Sequence, residues 1–190
     1  MKTIKLLALL FISTLVFTGC SDDDDHDDDH DHEHEVITTL TYTLTNGDDV
    51  ITLTYQDLDP EDTVDGTATV SGNLTANTVY TGAVTLLNET DEEPEHLQEE
   101  IEEEADEHEF FYSSTVSGIS VEKTDEDSNG NPVGFDTTLT TGDAGTGVLT
   151  ITLIHEPEKP NDGTIADAGG SEDISVSFDV VVASAITLAK

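Results

Sequence analysis

The chain has 190 residues, 43 acidic side chains, five lysines and no arginine, giving a formal charge of −38. That balance excludes nucleic-acid binding, because nothing neutralises phosphates, and excludes attraction to anionic lipid headgroups for the same reason. A lone cysteine, Cys20, excludes a disulfide framework.

The N-terminus has the three parts of an export signal. Lys2 and Lys5 give a positive start, residues 6–17 (LLALLFISTLVF) form an apolar run shorter than a bilayer span, and Thr18-Gly19 are small. Phe17-Thr18-Gly19-Cys20 resembles the lipobox of bacterial lipoproteins. The resemblance implies cleavage after residues 1–19 and acylation of Cys20, hence stable anchoring by several acyl chains. A lipidated Cys20 leaves no thiol for catalysis or metal binding. The acidic start Ser21-Asp22-Asp23-Asp24-Asp25 resembles the surface-export signal of Bacteroidota-type lipoproteins, which implies an outer-membrane protein facing outward. Residues 20–35 read as lipidated cysteine plus tether, since 21–35 (SDDDDHDDDHDHEHE) hold ten acids and nothing to bury. Such a segment is expected to be disordered and charge-extended.

From Val36 onward the pattern predicts a single β domain over 36–190. Leu40, Tyr42 and Leu44 alternate with threonines, as do Ile51, Leu53 and Tyr55, on either side of Asn46-Gly47-Asp48. Two alternating runs around Asn-Gly predict a hairpin. Further strands are expected at 67–75, 78–88, 109–117, 118–123, 133–140, 147–155 and 173–183, rich in Thr, Val and Ile and punctuated by Gly, Asn, Asp or Pro. Strand after strand predicts an antiparallel β-sandwich, Ig-like or jelly-roll-like. Residues 91–108 break the pattern: Leu97, Ile101 and Ala105 recur every four positions among acids, which predicts one acidic helix with a narrow apolar stripe.

Metal-ligating residue types concentrate in four places. In the tail, His26, His30, His32 and His34 lie among ten carboxylates. Neutral imidazole ligates zinc, copper or nickel, and a flexible tail can wrap an ion with two or three of them. On the expected helix, His96/Glu100 and Glu104/His108 have i,i+4 spacing and could each clip a metal. His155 shares strand parity with Leu149, Ile151 and Leu153, so it ends a core-facing row where it could meet His108. Asp125, Asp127, Asn129 and Asp136 occupy positions one, three, five and twelve of a calcium-loop pattern, with strands rather than helices expected on its flanks. The same residues also suit a solvated spacer, an acidic helix face, a strand end and a polar turn, and both readings stand at this point. No nucleophile elbow, zinc-protease helix, phosphate loop or dinucleotide fingerprint occurs, so no enzyme is expected.

The tail DHDHEHE, LTANTVYTGAVTLLNET (74–90), EEIEEEADEHEFFY (99–112), DEDSNGNPVG (125–134), LIHEP (153–157) and DAGGSEDISVSFDV (167–180) together resemble small His/Asp-rich surface lipoproteins of the Bacteroidota type. Some of these carry the name type 1 periplasmic binding fold. That name implies a two-lobed α/β solute-binding fold, whereas the strand pattern here predicts a sandwich. The leading functional expectation is a surface lipoprotein capturing divalent cations, zinc favoured, with an outer-membrane receptor as partner by analogy. A second is a structural or adhesive module stiffened by calcium. A third is a binder of small solutes, with Tyr80, Phe110, Phe111, Tyr112 and Phe135 either lining its pocket or filling the core.

Overall fold

A computed structural model describes residues 35–60, 66–91 and 93–184. The signal segment, Cys20, His26, His30, His32 and His34 lie outside the described residues.

The alternation read from the sequence becomes a hairpin of β1 (Thr39–Asn46) and β2 (Asp49–Gln56), paired from Thr39↔Gln56 to Asn46↔Asp49. Its two loop residues begin with Gly47 at φ +60°, a conformation that suits glycine in a tight turn. Leu40, Tyr42, Leu44 and Leu53 are fully buried while the intervening threonines face outward. β3 (Thr67–Val70) extends this sheet beyond β2, and β5 (Val79–Asn88), β9 (Asp136–Thr140) and β8 (Ser120–Lys123) extend it beyond β1. The short β6 (Glu95–His96) pairs with the end of β5. The second sheet runs β4 (Leu74–Thr75), β11 (Ser171–Ala183), β10 (Gly145–His155), β7 (His108–Ser114). All pairings are antiparallel except β4 with β11.

The expectation of a mainly β, antiparallel fold is met. One core unites residues from both sheets, Leu40, Tyr80, Leu86 and Leu139 from one, Phe110, Ile151, Leu153 and Phe178 from the other. Tyr42 donates or accepts a 2.7 Å bond with Thr137 Oγ1 inside it. Gly82 makes room for that bond, since a Cβ there would sit 2.4 Å from the Tyr42 hydroxyl. Burial pushes the Tyr42 hydroxyl up to about 12, so it stays protonated in the core. Tyr80, Phe110 and Phe135 join this core and Phe111 a smaller cluster, so these four aromatics fill the interior.

Residues 91–108 are less helical than their spacing predicts. Helix α1 covers only Gln98–Glu103. Leu97 and Ile101 are buried and Ala105 packs on the core, so the apolar stripe is real, but it supports a single docked stretch. Crowded like charges disfavour extension. Upstream, the edge of β5 captures Glu95 and His96 as a strand instead. A second short helix, α2 (Ile165–Ala168), was not expected. Its N-terminus is capped by Thr164 Oγ1, which accepts from the Asp167 amide, and its Ala168 packs on Phe111 and Ile154 across the outer face of β7 and β10.

Candidate metal centre

β7 and β10 lie side by side with Phe110 opposite Leu153 and Tyr112 opposite Ile151. Extending that register one step pairs His108 with His155. Both follow the parity of core-facing neighbours, so both imidazoles turn inward and are almost fully buried. Their ring centroids are 4.6 Å apart, edge to face. The expected meeting of these two residues is therefore present.

Two carboxylates complete the cluster. Glu35 lies two positions before the first buried residues, Ile37 and Thr38, with the exposed Val36 between. Thr38 is fixed to β5 by bonds in both directions, from its amide and hydroxyl to Leu87 O and from the Glu89 amide to its hydroxyl. That strap holds Glu35 over the histidines. Its Oε1 lies 2.9 Å from His108 Nε2, and its Oε2 lies 3.5 Å from His155 Nδ1. Asp173 arrives by another route. The ladder of β10 with β11 runs Leu153↔Ile174, then Ile154↔Glu172, so Asp173 is the extra residue of a β-bulge. By strict alternation Asp173 would point outward with Ser175 and Ser177. The bulge turns it into the cluster, with Oδ1 3.8 Å from His155 Nδ1 and Oδ2 3.9 Å from His108 Nε2. Gly170, at φ +72°, lets the chain pass close to β10 just before this point; a Cβ there would meet His155 O at 2.4 Å.

One ligand atom from each of Glu35, His108, His155 and Asp173 can be chosen so that all four lie within 4.8 Å of one another. A tetrahedral ion with bonds of about 2.1 Å needs neighbouring ligands roughly 3.4 Å apart. The carboxylate–imidazole separations within the set run from 2.9 to 3.9 Å, which brackets that spacing. Such a group of two imidazoles and two carboxylates can hold a metal ion.

The orientation of the first imidazole is fixed from behind. His108 Nδ1 lies 3.1 Å from the Glu104 carbonyl, which only accepts, so Nδ1 carries a hydrogen and the Nε2 lone pair faces the carboxylates in the neutral ring. Burial pulls His108 toward the neutral form, but the Glu35 carboxylate and the Glu104 carbonyl outweigh it and raise its pKa. Burial likewise pushes the Glu35 carboxyl up, yet His108 and its own backbone amide hold it down at about 2. Without metal, then, a proton on His108 supplies the positive charge that Glu35 attracts. His108 Nε2 and Glu35 Oε2 are nonetheless buried without a well-directed hydrogen bond among the described residues, so the proton satisfies the site incompletely. Beside the cluster a cleft of about 670 Å³, lined by Glu35, Asp173, Val36, Ile37 and Leu58 among others, reaches solvent.

The other predicted ligands fall elsewhere. His96 and Glu100 are exposed, one on β6 and one on α1, so they share no helical face. Glu104 ends α1 and His108 begins β7; Glu104 serves His108 through its carbonyl rather than its carboxylate. Neither helical clip exists, because the helix is too short to carry them. In the calcium-loop pattern, Asp125 accepts from the amides of Gly134 and Phe135 at 2.8 Å. Asp127 accepts from the Asn129 and Asn131 amides and is paired with Lys159 Nζ at 3.3 Å. Asp136 lies exposed on β9. The carboxylates of Asp125 and Asp127 organise the turn, Lys159 pairs with Asp127, and Asp136 stands apart from them on β9.

Sequence reading missed Glu35 and Asp173. Glu35 reads as tail because it ends an acidic run, four positions before β1 begins at Thr39. Asp173 is hidden by the bulge, which alternation does not foresee. No family model, curated protein or solved structure matches the chain.

Proposed function

We propose that this chain is an exported, lipid-anchored protein whose β-sandwich binds one divalent metal ion, zinc first, through Glu35, His108, His155 and Asp173. The observation that carries the reading is the pairing of two cross-strand imidazoles with two carboxylates in a buried space. Two carboxylates and two neutral imidazoles balance a charge of +2, which offsets the cost of burying the acids. Mixed nitrogen and oxygen donors with four-fold coordination suit zinc. Calcium wants six to eight oxygens, and copper(I) wants soft sulfur, which the mature chain lacks.

Four protein ligands make a closed set, the kind that stabilises a fold. The ion would stitch the strap at Glu35 to β7, β10 and β11. Support for the anchor comes from the apolar run at 6–17 and from Phe17-Thr18-Gly19-Cys20. His26, His30, His32 and His34 would gather ions at the membrane and release them to the domain or to an outer-membrane receptor.

The test is calorimetric titration of zinc into residues 21–190 and into the H108A variant. One tight event present in the first and lost in the second supports the reading. Identical isotherms would confine binding to the tail and retire the domain site.

A further inference from the structure

Two lysines occur among the described residues, Lys123 and Lys159, and both line one cleft of about 380 Å³. They are held differently. Lys159 donates to the carbonyls of Ala105 and His108 and to Asp127, so three acceptors use all three of its N–H bonds. Lys123, at the end of β8, lies over the Phe111 ring, 4.4 Å from its centroid, and donates to Glu109 Oε1. Burial pulls the Lys123 ammonium below its ordinary pKa, while Glu109 opposes the shift.

Asn161, in the loop between β10 and α2, reaches the same carboxylate. Its Nδ2 donates to Glu109 Oε2 at 2.7 Å and to the Glu158 carbonyl at 3.0 Å. Its Oδ1 accepts from the Gly163 amide at 2.9 Å. Carboxylates and carbonyls only accept and a peptide N–H only donates, so these partners fix which way the carboxamide points. The buried Glu109 carboxylate therefore stands between an amine and a carboxamide, with one oxygen on each nitrogen.

We propose that Lys123 and Asn161 become joined by an intramolecular isopeptide bond, which the folded chain forms on itself with Glu109 as proton carrier. Lys123 Nζ attacks Asn161 Cγ, the Nζ–Cγ bond forms, and the Cγ–Nδ2 bond breaks. Glu109 Oε1 takes the protons that Nζ sheds, and Oε2 hands them to the departing Nδ2. An ammonium and a carboxamide thus become a secondary amide and a free ammonium ion, and Glu109 ends as the carboxylate it was. The step needs no oxidant, nucleotide or cofactor. The negative charge that develops on Oδ1 during attack faces the Gly163 N–H, which is already in place to stabilise it. Glu109, Lys123, Asn161 and Gly163 all line the cleft, which gives the ammonium ion a way out. The bond ties β8, an edge strand of one sheet, to the loop that leaves β10 in the other, across 38 positions of chain. With Cys20 the only cysteine, no disulfide can make such a tie. Lys123, Glu109 and Asn161 are not among the candidate metal ligands, so the bond forms with or without a cation.

The experiment is peptide mapping of the folded full chain, purified from membranes in detergent, denatured, cut with an acid-specific protease and read by mass spectrometry. The wild type is expected to yield a branched peptide holding Lys123 and Asn161, lighter than its two arms together by one ammonia. K123R, which keeps the positive charge beside Glu109, is expected to yield linear peptides only. In E109Q, which keeps the shape but carries no proton, the link is expected to form at least about 100-fold more slowly, the scale of a lost general acid–base group. Unmodified Lys123 and Asn161 in the folded wild type overturn the bond, whatever the variants do. A cross-link that has lost water, or that ends at Lys159, overturns the assignment to this pair. Linkage at the wild-type rate in E109Q overturns the proton relay.

Discussion

His108 and His155 are direct cross-strand partners, 47 positions apart in the chain and 4.6 Å apart at their ring centroids. Among the described residues, both groups of candidate metal ligands include His155: Glu35 and Asp173 join it with His108, and Glu107 and Glu156 lie beside it.

Zinc is expected to raise the melting temperature of residues 21–190. Binding to the folded state alone stabilises by about 2.7 kcal/mol at a hundredfold excess over Kd. For a domain of this size each kcal/mol moves the midpoint by roughly 2–4 °C, so scanning calorimetry should register a rise of about 5–10 °C. H155A should abolish it, and persistence of the rise in that variant would sink the four-ligand site.

The rise should grow with pH. His108 has its pKa raised in the fold, so its contribution to metal-free stability is complete below about 6.5 and is lost as pH rises through the folded value. Glu35, held at about 2, contributes above its ordinary 4.5 and loses that only as pH falls toward 2. The pair therefore supports the metal-free fold best between these two ordinary values. Metal must displace the His108 proton, which is easier at high pH. Melting curves at pH 6 and pH 8 should show a larger zinc-induced rise at pH 8; a smaller one would place the ligands among carboxylates alone.

Asp173 sits on a bulge, so two variants separate its charge from its geometry. D173N keeps the bulge and removes the anion. Deleting Asp173 restores regular pairing of β11 with β10. Both should weaken zinc binding at least about 10–100-fold, the loss that even an outer-shell partner brings. The denaturant midpoint without metal should fall little in D173N, since one of two crowded anions is gone. Wild-type affinity in the deletion variant would rule Asp173 out as a ligand.

Lys159 is nearly buried and donates to the carbonyls of Ala105 and His108 while pairing with Asp127. K159M should destabilise the fold by about 3 kcal/mol, as expected when one member of a buried ion pair is removed, measured by urea unfolding. Calcium should leave the wild-type melting temperature unchanged, because Lys159 and the turn amides already satisfy Asp127 and Asp125. A calcium-induced rise would restore the loop as a cation site.

Alternation and turn residues determined most of the fold directly. Thr-apolar periodicity fixed which side of β1, β2, β5 and β10 is buried, because side chains on a strand alternate by geometry alone. The same parity placed His155 facing inward and allowed His108 to meet it. What sequence could not determine depends on contacts distant in the chain. The helix at 91–108 shrank because an edge of β5 was free to bind Glu95 and His96, and local spacing does not record which edge is free. Glu35 left the tail because Thr38 bonds to Leu87 and Glu89, about fifty positions away. Asp173 turned inward because β11 carries one more residue than its partner strand, a mismatch that exists only once the strands are paired. The histidines were legible in the sequence; the carboxylates that complete their site were chosen by the packing.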